Sequence, residues 1–319
     1  MAVLSALRRR LEPPSRKRRE QAWADRIDCY RETRGAGPPK NDPRVVRREI
    51  GGVTWYLPYP DAGLGRLLSR DRRPLPSLFE IEQSRRLGAR GGVMLDIGAN
   101  IGTTAIPRVR LGHFRRAYAA EPAALEYACL VHNAVANGAQ GLVLPDRCAI
   151  YSSTGTVRFF EKGQTGVHRI SLTRRRAQEV PCYTLDDWLA RCGLAAGDVD
   201  FVKCDAQGAE AHILAGAGSL LARRRAIWQL EYWPHGLRAL DTTEADLQAE
   251  LGRWFTEFVV LGRRGDGGGV PRVQPIATLP DAIARLELPP RGFTNLLFYP
   301  TSRAAIRGSS EWAATRRSP

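Results

Sequence analysis

The sequence predicts an α/β fold built on a doubly wound, mostly parallel sheet. From about residue 89, short apolar runs alternate with segments of helical periodicity, which is typical of parallel strands covered by helices. The predicted strands span residues 93–97, 116–120, 142–144 with 148–150, 199–204 and 226–230. Two later apolar runs, FTEFVVLG and GFTNLLFYP, predict strands that complete one edge in antiparallel fashion.

The chain divides into four predicted segments. Residues 1–48 are rich in Arg, Pro and Gly and predict a basic, loosely ordered N-terminal extension. Residues 49–88 predict a lead-in strand and helix that could cover a substrate as a lid. Residues 89–300 form the predicted main domain, with a long loop at 263–291 and one helix in GAEAHILAGAGSLLARRR. Residues 301–319 predict a flexible tail.

The charge balance is strongly basic, with 48 Lys and Arg against 33 Asp and Glu and a net charge of +15. Only four of these basic residues are lysines, and the arginines are scattered along the whole chain. This distribution favours compositional bias over a nucleic-acid surface, so a nucleic-acid partner is not expected. The cluster between Arg8 and Arg19 is a candidate for weak membrane-surface contact, although a solvated tail is the commoner role of such a run.

Several protein classes are disfavoured by composition. No stretch approaches the roughly 18 apolar residues of a membrane span, and the first residues reverse the order of a secretory signal, so we expect a cytoplasmic protein. The six cysteines include no C-x-x-C pair, which predicts reduced thiols and no metal site. Oligomeric state is not determined by these patterns.

The stretch VMLDIGANIGTT carries the clearest chemical signal. A strand ends in Asp96, and Gly98, Asn100 and Gly102 then lead into a helix, so that the backbone can turn sharply and approach a ligand. An NAD site would place its second glycine where Asn100 stands, which disfavours a dehydrogenase. The next strand ends in Glu121, and an acid there is the usual partner of a ribose diol. A carboxylate for an ammonium group and another for a ribose predict S-adenosylmethionine as the ligand.

Several separated motifs resemble the FkbM family of S-adenosylmethionine-dependent methyltransferases. They occur in the family's order between about residues 90 and 300: LDIGANIG, AAEP, LVHNAVANG, CYTLDDWL, FVKCDAQGAEAHILAGAG, QLEYW and FTNLLFYP. The resemblance implies a seven-stranded Rossmann-like sheet and methyl transfer to a hydroxyl of a sugar, glycan or secondary metabolite such as a polyketide. It also implies a cofactor site formed by Asp96, Gly98, Ala99, Asn100, Gly102 and Glu121.

The chain departs from this family at two positions. The family usually has Asp-Val-Glu-Gly where this sequence has Asp205-Ala206-Gln207-Gly208, and Gln207 cannot serve as a base or a strong metal ligand. Pro107 interrupts the helix after the glycine loop and is expected to kink or shorten it. The first departure leaves open a catalytically impaired homologue that binds the cofactor without turnover.

The candidate catalytic residues follow two predicted strands. Asp205 is the first candidate for a base or an acceptor-orienting group, and Glu231 and His235 come next, because ligands of open α/β sheets bind at the carboxyl ends of strands. Glu210 is expected to serve the start of its helix instead. A nucleic-acid-directed methyltransferase remains an alternative function, disfavoured by the absence of an N-P-P-Y-type motif. We expect the acceptor to be a small molecule or glycan, contacted by EKGQTGVHRISLTRRR, the N-terminal region and RRGDGGGVPRV. Trp228, Tyr232 and Trp233 are candidates for stacking on a sugar, although aromatic residues beside a strand more commonly belong to the core.

Overall fold

The computed structural model of the protein describes residues 44–50, 52–58, 76–161, 168–171, 177–262 and 271–301. The basic cluster proposed for a membrane surface and the C-terminal tail from residue 302 lie outside the described residues, as does the stretch 59–75 on which a lid would depend. Of the predicted acceptor loops, 162–167, 172–176 and 263–270 also lie outside them.

The predicted sheet is confirmed as an eight-stranded mixed sheet with strand order β13-β12-β14-β11-β10-β3-β4-β5. Its strands are β3 (Gly91–Ile97), β4 (Phe114–Ala120), β5 (Val143–Asp146), β10 (Phe201–Cys204), β11 (Ile227–Tyr232), β12 (Glu257–Val260), β13 (Gln274–Pro275) and β14 (Thr294–Tyr299). Strands β3, β4, β5, β10 and β11 are parallel, whereas β14 is antiparallel to both β11 and β12. The eighth strand, β13, adds only two residues to the expected seven at one edge.

Two smaller sheets were not predicted in this form. A hairpin of β1 (Val45–Ile50) and β2 (Val53–Pro58) precedes the main domain, and a four-stranded sheet has the order β6-β9-β7-β8. The latter comprises β6 (Ala149–Ile150), β7 (Gly155–Phe160), β8 (Arg169–Ile170) and β9 (Gln178–Tyr183). The predicted strand at 142–150 is therefore divided between two sheets, because β5 continues the large sheet while β6 pairs with β9.

Nine α-helices lie in the described part of the chain, and none of them is both long and apolar enough to cross a bilayer. They are α1 (Pro76–Arg86), α2 (Ala105–Arg110), α3 (Ala124–Ala136), α4 (Leu185–Arg191), α5 (Glu210–Ala215), α6 (Gly218–Ala222), α7 (Pro234–Arg238), α8 (Glu244–Trp254) and α9 (Leu279–Ala284). None of the five cysteines that the structure describes forms a disulfide.

Three details of the helices differ from the sequence-based expectation or refine it. The single helix expected at 208–225 is two helices, since the first ends at its C-cap Gly216 and the second begins after its N-cap Ala217. Gly216 lies against the Tyr151 carbonyl oxygen, from which an added Cβ would stand 2.6 Å. The loop expected at 263–291 contains β13 and α9. Pro107 stands in the first turn of the six-residue helix α2, where its missing N–H would have no helical acceptor.

The large sheet separates two hydrophobic clusters because alternate residues of each strand face opposite sides. Val202 and Trp228 pack on the side of α4 to α8, whereas Phe201 packs on the other side with Trp55 and Phe114. The two aromatic rings of Phe114 and Phe201 are stacked, with centroids 5.4 Å apart.

The N-terminal hairpin is attached to helix α3 through two asparagines one turn apart. Asn133 accepts from the Tyr56 amide (2.6 Å) and donates to the Tyr56 carbonyl (3.2 Å), while Asn137 does the same for Thr54 at 2.9 and 2.7 Å. Asn133 also donates to the Ile101 carbonyl at 2.9 Å, in the loop after β3. The asparagine side chains thus form the hydrogen bonds that a neighbouring strand would otherwise make with the backbone at the outer edge of β2.

We expect Asn133→Ala to lower the free energy of unfolding by about 2–4 kcal/mol, because it leaves buried backbone groups of Tyr56 and Ile101 without partners. Urea denaturation followed by circular dichroism measures this change. Ala136→Ser, at an exposed position of the same helix, is the control and should change stability by less than about 0.5 kcal/mol. Equal stability of the two variants would contradict the proposed attachment.

Candidate active site

A cavity of about 550 Å³ opens at the carboxyl ends of β3, β4, β10 and β11. This position is the expected one for a ligand site in an open α/β sheet. Its lining residues are Ile97, Gly98, Ala99, Asn100, Thr103, Thr104, Ala120, Glu121, Pro122, Cys148, Ala149, Ile150, Phe159, His168, Ile170, Lys203, Asp205, Ala206, Gln207, Glu231, Trp233, Arg291 and Phe293. Six of the nine residues predicted for the cofactor and catalytic sites are among them.

The glycine loop after β3 contributes bare backbone to the cavity. Gly98 has φ +72°, and a Cβ there would lie 2.0 Å from the carbonyl oxygen of Asp205, so only glycine fits. The Gly98 and Ala99 amides both donate to the Ala120 carbonyl at 3.0 Å. Asn100, at φ 52°, turns the chain so that its amide donates to Glu121 at 2.8 Å.

Glu121 closes the loop from the end of β4. Its carboxylate accepts from the backbone amides of Asn100 and Ala123, both at 2.8 Å, and each oxygen keeps a second acceptor site. Burial, followed by the nearby Glu126 carboxylate, raises the pKa of Glu121 to about 8. Glu126 pairs with His168 at 2.9 Å, and this pairing outweighs burial and raises the pKa of His168.

Two of the residues predicted for the cofactor lie behind the cavity wall. Asp96 is 1% exposed, and neither carboxylate oxygen has a hydrogen-bond partner among the described residues. Burial raises its pKa to about 6 against the opposing effect of the Lys203 and Arg108 cations. Gly102 packs helix α2, since a Cβ there would stand 2.7 Å from the side chains of Ile106 and Leu130.

Two further acids, Asp205 and Glu231, line the same cavity as Glu121. The Nε2 group of Gln207 donates to Asp205 Oδ1 at 2.8 Å and to Glu231 Oε2 at 3.0 Å. Lys203, at the penultimate position of β10, donates to Asp205 Oδ2 at 2.9 Å. Gln207, the departure from the FkbM pattern, is therefore bonded to both acids.

The surroundings shift the pKa values of the two carboxyls in opposite directions. Burial alone would raise the pKa of Asp205, but the Lys203 ammonium outweighs burial and holds it below its usual value. Burial and the neighbouring carboxylates of Asp205 and Glu210 raise the pKa of Glu231 well above its usual value. The two pKa shifts run in opposite directions, although Gln207 donates to both carboxyls.

His235 is not brought to this pair. It follows Trp233 in the short helix α7 and does not line the cavity; the two rings lie with centroids 5.4 Å apart. Glu210 keeps the structural role that the sequence favoured. It is fully buried and accepts from the Ala206 amide at 2.9 Å, and burial raises its pKa to about 7.

Trp233, Arg291 and Phe293 line the end of the cavity beside the acid pair. The Trp233 indole donates to the Arg291 carbonyl at 3.3 Å, and Phe293 is 43% exposed. The structure gives the Arg291 guanidinium no hydrogen bond or ion pair to a described residue. Trp228 and Tyr232, also considered for sugar stacking, belong to the core.

Three charged or titratable cavity residues were not predicted individually: Lys203, Arg291 and His168, the last of which lies in the predicted acceptor segment EKGQTGVHRISLTRRR. Lys203 could have been noticed, since a lysine inside the apolar run FVKC needs a buried anion. His168 and Arg291 come from segments without strand or helix periodicity, and only the tertiary structure brings them to the cavity.

The residues present fit S-adenosylmethionine at one end of the cavity. Glu121 offers free acceptor sites for a ribose diol, and the glycine loop leaves space for the ligand body. The Asp96 carboxylate is buried behind the cavity wall and does not line the cavity. Any electrostatic attraction between this carboxylate and the ligand's ammonium group would therefore act through the wall. Among the described residues, no group of three or more His, Cys, Asp or Glu side chains could hold a metal ion.

Comparisons with known proteins agree with the sequence motifs. Residues 96–245 match the family profile described as the methyltransferase FkbM domain. No curated protein matches the chain. Similar solved structures include the tRNA M1A22 methyltransferase TrmK of B. subtilis, with 13% identity, 72% of this chain and 69% of that chain covered and a TM-score of 0.38.

Two further structures were solved with the methyl donor bound. They are TYW2 of M. jannaschii with AdoMet (12% identity, 81% and 87% covered, TM-score 0.38) and magnesium protoporphyrin IX methyltransferase of Synechocystis with SAM (12% identity, 70% and 77% covered, TM-score 0.36). The FkbM resemblance seen in the sequence is confirmed by the family match. The chain carries an FkbM methyltransferase domain and is an S-adenosylmethionine-dependent methyltransferase.

Proposed function

We propose that the protein transfers a methyl group to a hydroxyl oxygen of a sugar, a glycan or a secondary metabolite. The observation that carries this proposal is the Asp205–Glu231 pair in the same cavity as the glycine loop. A hydroxyl must lose its proton as the new O–C bond forms, and an ionised carboxylate beside the acceptor supplies a base.

The donor end would be formed by the glycine loop and Glu121. When bound, S-adenosylmethionine supplies a methyl group on a positively charged sulfur. The protein's own contribution is to orient the ligands, exclude water and accept a proton. Orientation can contribute roughly 7–11 kcal/mol, while a general base adds about 10²–10⁴-fold in rate.

At the acceptor end, Asp205 is the proposed proton acceptor and Glu231 its hydrogen-bonded partner. The side chains of Trp233 and Phe293 suit the apolar face of a sugar or another flat ring, and Arg291 suits a hydroxyl or an anionic substituent. His235 is omitted from the proposed mechanism because it does not line the cavity. The hydrogen bonds of Gln207 to both acids favour an active enzyme over an impaired homologue.

The donor site gives a pH-dependent prediction. A ribose diol donates to an ionised Glu121, but this group is mostly protonated below its pKa of about 8, so binding must release a proton there. We expect the affinity for S-adenosylhomocysteine, measured by calorimetry, to rise at least about ten-fold between pH 6.5 and 8.5 and then level off. Glu121→Gln should bind more weakly and lose this dependence. A flat profile in the wild-type protein would contradict the ribose role.

The acceptor site gives a prediction on turnover. We expect Asp205→Asn to slow methyl transfer by about 10²–10⁴-fold while S-adenosylhomocysteine binding changes less than about three-fold. Transfer of labelled methyl groups is measured in three separate pools: oligosaccharides, small metabolites and total tRNA.

The three pools separate the candidate functions. Label in an alkali-stable ether of the first two pools supports the proposal, whereas label in tRNA would replace it with the nucleic-acid alternative. No label in any pool, together with intact S-adenosylhomocysteine binding, would favour the impaired homologue. His235→Ala is the matched control, expected to retain transfer to within about ten-fold.

A further inference from the structure

Gln207 is the side chain that connects the two acids of the site. Both hydrogens of its amide are used, one on Asp205 Oδ1 at 2.8 Å and one on Glu231 Oε2 at 3.0 Å. A glutamate at this position could make the same two contacts only by bringing a third carboxyl against two others. The amide offers donors to both acids and adds no charge.

The backbone holds this amide in place. Gln207 has φ 55°, a left-handed conformation that side-chain-bearing residues adopt only where the surroundings impose it. The next residue, Gly208, has φ +104°, and a Cβ there would stand 2.3 Å from the backbone of Gly236. Gly236 in turn leaves space for the Trp233 ring, which a Cβ would approach to 2.2 Å. The turn at 207 is thus packed against helix α7.

The two acids differ in their surroundings: the Asp205 side chain is 30% exposed and bonds to a cation, whereas Glu231 is 4% exposed and bonds to no cation among the described residues. Lys203 is the cation in hydrogen-bond contact with Asp205, and its side chain is 7% exposed. Glu210 on α5 and Glu80 on α1 add acidic groups near Asp205 and Glu231, and burial raises the pKa of both. Ionising Glu231 would place a further negative charge at a buried position without a cation in hydrogen-bond contact, which is costly.

We propose that Gln207 is a positioning residue that holds Asp205 and Glu231 as an acid pair with one proton, in which Asp205 is the ionised member. This inference rests on the proposed function and refines its base. When transfer occurs, the acceptor O–H bond breaks and its proton passes to Asp205. The new O–C bond forms as the C–S bond breaks, and the electron pair of that bond stays on sulfur.

The test measures the two carboxyls directly and needs no acceptor. The full-length protein is labelled with ¹³C at the side-chain carboxyls of aspartate and glutamate, and NMR titrations are recorded from about pH 3 to 9, a range that covers the ordinary pKa of an aspartate. Signals are assigned by their loss in Asp205→Asn and Glu231→Gln. In the wild-type protein we expect Glu231 to be neutral and Asp205 ionised at neutral pH.

Two variants change the bridging group while keeping its length. Gln207→Met removes both donors and should raise the pKa of Asp205 by about one to two units, because a hydrogen bond to an ionised group is lost. Gln207→Glu adds an acid and should make the cluster hold one further proton at neutral pH. Gln178→Met, the same change at an exposed site on β9, is the control and should leave both titrations unaltered.

The outcomes separate this inference from the proposed function. Identical titrations of Asp205 and Glu231 in the wild type and Gln207→Met, with both proteins folded by circular dichroism, would overturn the positioning role. Glu231 titrating at its ordinary value would overturn the one-proton pair. S-adenosylhomocysteine binding is measured on the same samples; its absence from the wild type would count against the proposed function alone, since the titrations do not depend on it.

Discussion

The buried ammonium of Lys203 is the interaction on which the site depends. It bonds to Asp205 and lies directly across from Asp96 in the register of β10 and β3. Burial opposes the positive charge, yet the carboxylates of Asp205 and Asp96 outweigh that effect and raise the pKa of Lys203. Without this cation, the buried Asp96 and the partly buried Asp205 would have no counter-charge on the strands. The arrangement therefore lets one edge of the sheet hold ionised acids inside the fold.

The residues level with Lys203 on the neighbouring strands are also polar: Asp96 on β3 and Gln229 on β11. Gln229 lies beside Lys203 in the register of β10 and β11, and it accepts from Arg108 at 3.1 Å. Arg108 is fully buried, also donates to Ser84 of α1, and lies over the ring of Phe201. Helix α1, which precedes the glycine loop in the chain, is thereby joined to the central strands. These buried hydrogen bonds fix the position of α1 relative to the sheet, which apolar contacts alone would specify less strictly.

The sequence predicts the site residues whose positions follow from local strand and helix patterns. Glu121, Asp205 and Glu231 were predicted because each comes near the end of a strand, and the carboxyl ends of parallel strands meet at one edge. His168 could not be placed, because it directly precedes a strand of only two residues, Arg169–Ile170, which is too short for a recognisable period. Asn133 was quoted as part of a motif, but its partners lie 77 residues away in the hairpin. Such pairings depend on tertiary packing rather than on spacing.

The close contact between Gly98 and Asp205 has a mechanical consequence. No side chain separates the glycine loop from the turn that carries the acid pair, since even a methyl group at residue 98 would overlap the Asp205 carbonyl oxygen. The glycine loop and the turn at Asp205 are therefore adjoining parts of the cavity wall. Because these two backbone segments are in close contact, a movement of the glycine loop by a few tenths of an ångström would displace Asp205. In the proposed mechanism, the position of the methyl donor and the position of the base would therefore change together.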